Sequence, residues 1–268
     1  MPFTLAHPAA AVPLARRGLV LSALVVGSMS PDFPYFWPHI VHDQFAHSIP
    51  GIFYFCIPAG LLVLAIFHLF LKVPLICLFP RSHQAKLMSV AKGFRFGPSQ
   101  RFAGILLSLA LGAFTHLTWD LVTHSQGWAV RHFPWLSLPV FGAARGSFKI
   151  YFLLQYGSTI AGITLLAYWY YRWLKATPEP ALPLPVRLST HAKVGCLVSV
   201  VAGALIVAAA YGYLRAPSMH GLRSLEQFTR YAVIMVTWTI GVELLAFAFF
   251  WHVLLAPTQA VAKPDKGR

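Results

Sequence analysis

Apolar residues run in long blocks along this chain, separated by short polar or basic segments. The clearest block is residues 51–72, GIFYFCIPAGLLVLAIFHLFLK. As a helix it is long enough to cross a hydrocarbon core of about 30 Å. The pattern predicts further spanning helices over about 102–121, 151–173, 194–214 and 231–255. A shorter apolar run, GLVLSALVVGSMS at 18–30, precedes them. The polar segments between are a loop at 31–50, a basic loop at 72–101, an aromatic loop to about 149 and the Pro-rich linker ATPEPALPLPVRLSTHAK. The expected fold is all-α: a polytopic integral membrane protein with about five or six transmembrane helices. Its expected organisation is a membrane domain over 1–174, the linker at 175–193, a C-terminal helix pair at 194–256 and a tail at 257–268.

Composition strengthens that reading. The chain is 57% hydrophobic and 10% charged, against about 25% charged residues in an ordinary soluble domain. The net charge of +14 raises the question of nucleic acid, but the cations fall between apolar runs, as membrane topology requires. Six Lys and Arg lie within 72–101 and none within 31–50. The positive-inside rule therefore puts 72–101 in the cytoplasm and 31–50 outside a bacterial plasma membrane. Membrane lipids are the expected partners, with anionic head groups near the basic loops. Cys56, Cys77 and Cys196 lie in apolar surroundings without CxxC spacing and read as small buried hydrophobes.

Arg16-Arg17 ahead of the 18–30 run has the order of a signal peptide. The long, proline-containing leader favours a short first helix kept in the fold.

Chemistry concentrates at HLTWDLVTH, residues 116–124, which ends the third apolar helix. His116, Asp120 and His124 are spaced i, i+4, i+8 and share one helix face. A carboxylate in such a segment is costly unless paired, wet or coordinated. The chain has seven acidic residues in all; three of them, Asp32, Asp43 and Asp120, fall between residues 31 and 124. The topology brings Asp32, Asp43, His47, His116, Asp120 and His124 to one membrane face. Imidazole and carboxylate together suit Zn, Mn or Fe, and one or two such ions would bind a phosphoryl group and acidify water. Three other readings stand beside it. In them His116 and Asp120 relay protons, tie helices together, or simply end the helix at the interface. Asp32 also suits a turn after Pro31, and Asp43 a solvated loop position. His39, His42 and His132 read as interfacial, and His68 and His252 as satisfied core residues. Glu243 sits in mid-span with no partner visible in the sequence.

MPFTLAHPAA, LVLSALVVGSMSPDFPYF, HSIPG, LGAFTHLTWDLVTH and LQYGSTIAG together resemble the bacterial family known as domain of unknown function 4184. That family is similar to predicted membrane-bound metal-dependent hydrolases and, more distantly, to zinc-dependent phospholipase C and single-strand nucleases. The resemblance implies that Asp32, His47, His116 and Asp120 hold one metal, that His7 belongs to a neighbouring metal with Asp120 bridging, and that His124 belongs to another. Asp32 and Asp120 would be the catalytic carboxylates. No HxxxE follows His124, and the chain opens Met1-Pro2 where those enzymes place a ligating Trp; one or two ions are therefore expected rather than three. The implied activity is metal-dependent hydrolysis of a lipid-like phosphoester. The alternative is a non-enzymatic transporter or scaffold. A groove for nucleic acid would need the aromatic and basic residues Trp128, Arg131, Trp135, Arg145 and Lys149, which read more simply as an interfacial anchor. One conflict remains. If residues 18–30 span the bilayer, His7 is cytoplasmic, a membrane away from Asp32 and His116. Either this segment re-enters, or His7 is no ligand.

Overall fold

The computed structural model describes residues 4–17, 19–36, 41–141, 148–179, 188–215 and 222–255. In chain order the helices are α1 (Pro8–Ala11), α2 (Leu21–Met29), α3 (Asp43–Ala46), α4 (Ile49–Gly51), α5 (Ile57–Ile66), α6 (Lys72–Leu78), α7 (Arg81–Lys92), α8 (Ser99–Thr123), α9 (Trp128–His132), α10 (Ile150–Ala176), α11 (Thr190–Arg215) and α12 (Leu222–Phe250). Two π-helical stretches, Ile52–Cys56 and Phe67–Leu71, join α4, α5 and α6 into one continuous helical segment. The short strands β1 (Pro139–Phe141) and β2 (Phe148–Lys149) pair antiparallel.

Five segments are long and apolar enough to cross a membrane: Ile49–Leu78, Ser99–His132, Ile150–Ala176, Thr190–Arg215 and Tyr231–Leu254. These match the five long runs of the sequence. The protein is an all-α polytopic membrane protein. The 18–30 run is different. Its helix, α2, has nine residues and is about 14 Å long, half of what a span needs. Pro31 and Pro34 end it and start a 3-10 turn, Ser30–Tyr35. The segment is thus the short first helix that its leader favours, and His7 lies stacked on His116.

The chain forms two compact units. The first comprises Met1–Ala65 and Arg95–Ala176. Its centre is α2 against α8, and the crossing is set by glycine. A Cβ on Gly27 would collide with the Leu109 carbonyl; one on Gly112 would collide with the Leu24 carbonyl and lie 2.7 Å from the Ser28 nitrogen. Only bare backbones fit this closely, which is the usual reason for small residues where membrane helices meet. Ser108 of α8 adds a polar tie, its Oγ accepting the Val20 N–H at 2.9 Å. Ala23, Leu24, Ile105, Leu109 and Ala113 fill the space around the crossing and are fully buried.

The second unit comprises Ile66–Phe94 and Thr177–Arg268. Within it α6 turns into α7, and the buried Gln84 amide donates to the Cys77 and Phe79 carbonyls, both at 2.8 Å. Lys193 donates to the same Phe79 carbonyl at 2.8 Å. Helices α11 and α12 pack together, with Gly203 facing Glu243 and Gly212 facing the Phe228 ring.

Candidate metal centre

Four short segments of the first unit deliver the polar residues to one point. The stripe on α8 supplies His116 and Asp120. Asp32 stands in the first turn of the Ser30–Tyr35 3-10 helix. His47 caps the end of α3, and HSIPG folds the chain sharply after it. There the Ser48 hydroxyl accepts the Gly51 N–H at 3.1 Å, and Gly51 packs so tightly on the Phe45 carbonyl that any Cβ would collide. His7 immediately precedes α1.

The distances are short. His116 Nε2 lies 3.2 Å from Asp120 Oδ2 and 3.6 Å from Asp32 Oδ1. His47 Nε2 lies 3.4 Å from Asp32 Oδ1 and 3.5 Å from Asp120 Oδ2. His7 Nε2 is 4.0 Å from Asp120 Oδ1, and its ring stacks on His116 at 3.7 Å. Two sets of donor atoms, one from His7, Asp32 and His116 and one from His47, His116 and Asp120, each lie within 4.8 Å of one another. His116 belongs to both.

Hydrogen bonds fix which nitrogens face inward. His116 Nδ1 sits 2.8 Å from the Ser28 carbonyl, and His47 Nδ1 sits 2.9 Å from the Asp43 carbonyl. A carbonyl only accepts, so Nδ1 carries the proton in both rings. In the neutral imidazole Nε2 then presents a lone pair. Both lone pairs face carboxylate oxygens, which repel them unless a proton or a cation lies between. Backbone carbonyls holding the outer nitrogen of a ligating His are the usual outer shell of a metal site. His7 Nε2, Asp32 Oδ1, His116 Nε2 and Asp120 Oδ1 are moreover buried with no hydrogen-bond partner among the described residues. Orphaned buried polar atoms are rare and costly, and four pointing at one place fit a missing cation.

Burial, followed by the charge of His116, pushes the His7 imidazole down to about 3 despite Asp120, leaving it neutral and able to ligate. For Asp32 burial works upward, but pairing with His47, the charge of His116 and the Thr4 hydroxyl outweigh it and keep the carboxyl below its ordinary range. For His47 burial works downward and is outweighed by Asp32, the Asp43 carbonyl and Asp120, so its imidazole lies above its ordinary value. The cluster is closed at one side and open at the other. Asp32 and His116 side chains are 1% exposed, whereas Asp120, His47 and His124 are 14%, 21% and 28% exposed.

All six expected residues are thus gathered here, with unequal places. His124 caps α8, and its Nδ1 lies 3.2 Å from Asp120 Oδ1 without forming a hydrogen bond; it stands in neither donor set, at the rim of the cluster. Asp43 stays exposed with its carboxylate on the Gln44 N–H, and only its backbone carbonyl serves the site. Two contributors carry no sequence signal. Thr4 Oγ1 donates to Asp32 Oδ2 at 2.5 Å, and Ser28 acts through its carbonyl, which every residue type has. Other histidines among the described residues lie apart. His132 is held by the Trp128 carbonyl and ring, His42 is exposed, and His39 lies outside the described residues.

Fold and site together define a polytopic membrane protein whose first compact unit carries a buried His/Asp cluster able to hold a metal ion. Residues 1–254 match the family model Domain of unknown function (DUF4184), and the chain belongs to that family. No curated protein and no solved structure matches it.

Proposed function

We propose that this protein is a membrane-bound, metal-dependent hydrolase acting on a phosphoester of a lipid-like substrate. The carrying observation is the set of four buried, partnerless donor atoms facing one another between two carboxylates. With imidazole lone pairs given to a cation, the ligand nitrogens add no charge, and the two carboxylates would offer −2 for a divalent ion to balance. Nitrogen and oxygen donors without sulfur suit Zn²⁺, with Mn²⁺ or Fe²⁺ as alternatives. Asp32, His47, His116 and Asp120 would hold one ion, and the His7 side of the cluster has room in its donor set for a second. A bound ion supplies Lewis acidity toward a phosphoryl oxygen and lowers the pKa of water.

The chain's own residues divide the remaining work. Ser28 and Asp43 carbonyls orient His116 and His47; Thr4 holds one oxygen of Asp32, and His124 stands at the rim beside Asp120. The partly exposed Asp120 and His47 form the side from which water and substrate enter. Among the described residues no Ser or Cys side chain belongs to either donor set, and water is the nucleophile of this reading. The loop charges favour the outer side of the membrane for the site, and the plasma membrane of a bacterium is the membrane this reading assigns.

Elemental analysis of the purified protein tests the reading. About one or two ions per chain are expected, lost in Asp120→Ala and His116→Ala, together with hydrolysis across a phosphoester panel. A folded, metal-free wild type overturns it and favours a transporter or scaffold with a polar helix contact.

A further inference from the structure

An apolar cavity of about 450 Å³ lies beside the cluster within the first unit. Its floor is built of small residues: Ala6, Ala9 and Ala10 near α1, and Gly157, Ser158, Ala161 and Gly162 on α10. Trp119, Leu153, Leu154 and Leu165 form the rims, and each is about 40% exposed toward what would be lipid. The polar atoms inside are few. Ser158 Oγ is committed to the Trp119 indole N–H and the Gln155 carbonyl. The other polar wall is His7, whose ring is 95% buried and whose Nε2, 4.0 Å from Asp120, has no hydrogen-bond partner. One residue therefore belongs both to the hydrocarbon-lined groove and to the metal-binding cluster.

The groove follows α10 from Leu153 to Leu165, twelve residues or about 18 Å of helix. That is slightly more than half the thickness of a bilayer's hydrocarbon core, about 15 Å. Inside a bilayer, burying apolar surface brings no hydrophobic gain, and shape alone selects what packs on a helix. A channel floored with Gly and Ala selects a narrow, flexible rod. The geometry points to one occupant: the hydrocarbon chain of a membrane lipid whose phosphate group lies at the His/Asp cluster. This deepens the proposed function and rests on it, making the substrate a bilayer phospholipid that slides in laterally rather than a soluble phosphoester.

Photolabelling tests this without requiring turnover. The metal-loaded protein is placed in phosphatidylcholine nanodiscs with a trace of phosphatidic acid, made as its non-hydrolysable phosphonate, carrying a diazirine halfway along one acyl chain. A diacylglycerol with the same labelled chain is the matched probe without phosphate. Adducts are mapped by mass spectrometry, with Leu205 and Ile206 on α11, exposed and outside the groove, as the reference for ordinary lipid contact. Phosphatidic acid should label Leu153, Leu154 and Leu165 well above the reference, and diacylglycerol should not. Gly157→Leu should bring groove labelling down to the reference; a side chain there meets nothing within 4 Å, so it fills the channel without a clash. Ala161→Leu is the second filling variant, and retained metal in either shows an intact site. Equal labelling by both probes, or groove labelling no higher than the reference, overturns the proposal. Metal measured on the same sample separates the failures: metal present without phosphate preference sinks only the chain groove, whereas a metal-free folded protein sinks the hydrolase.

Discussion

The two compact units treat the same problem, polar side chains among apolar helices, in opposite ways. In the second unit the polar groups stand singly: several rest on one carbonyl or ring, while Glu243 Oε2 and Trp251 Nε1 are buried without a hydrogen-bond partner among the described residues. His252 places Nε2 3.0 Å from the Phe70 carbonyl, and His68 stacks on Phe94 at 3.4 Å with the Lys72 amine 3.3 Å from its Nδ1. Glu243 folds over the bare face of Gly203. In the first unit His7, Asp32, His47, His116 and Asp120 are pooled from four segments, with several of their atoms left unpaired. A satisfied histidine needs one carbonyl. Two carboxylates set against lone-pair nitrogens form a group that could hold a metal ion. That contrast separates structural polarity from a binding site, and glycine sharpens it: Gly203 makes room for a single side chain, while Gly27 and Gly112 let two backbones touch so that Ser28 reaches His116.

The contrast can be broken most severely at the carboxylate shared across the cluster. Asp120→Ala should reduce bound metal to background by elemental analysis, and retained stoichiometric metal would remove Asp120 from the site. Chelation should then lower the melting temperature of the wild type and leave Asp120→Ala unmoved; an ion present at 100 times its Kd contributes about 2.7 kcal/mol. Equal shifts in both proteins would mean that the metal binds elsewhere. Gly112→Ala comes next, because its methyl group pushes α2 away from α8. Overpacking of this kind costs about 1–3 kcal/mol, and displacing the Ser28 carbonyl should weaken metal binding about 10–100-fold, as loss of an outer-shell partner does. Gly104→Ala on the same helix, where a Cβ meets nothing within 4 Å, should leave metal affinity intact. Thr4→Val should cost about tenfold in metal affinity through Asp32, the low end of the same range. Glu243→Gln should produce the smallest effect, with metal content equal to wild type. A loss there would show that the isolated acid of the second unit serves the site after all.

Much of this was legible in the sequence, for identifiable reasons. The five spans were visible because a bilayer demands about twenty consecutive apolar residues, and a run such as 51–72 has no soluble counterpart. His116 and Asp120 were visible because helical spacing alone puts i and i+4 together and because acids are scarce here. The 18–30 run was ambiguous, since its apolar content suggests a crossing while Pro31 and Pro34 cut its helix to nine residues. Position along the chain therefore left open whether His7 could reach Asp32 and His116.

The sequence by itself determined that the protein lives in a membrane, how many long helices it has and which side chains are too costly to be there idly. Those are local properties: length, hydropathy and the desolvation cost of each group. Only the tertiary structure decided that His7, Asp32, His47 and Asp120 share one space and that His116 presents a bare Nε2. Those outcomes depend on where α2 meets α8, on backbone carbonyls identical in every residue, and on contacts such as Ser28 to His116 that join positions 88 residues apart.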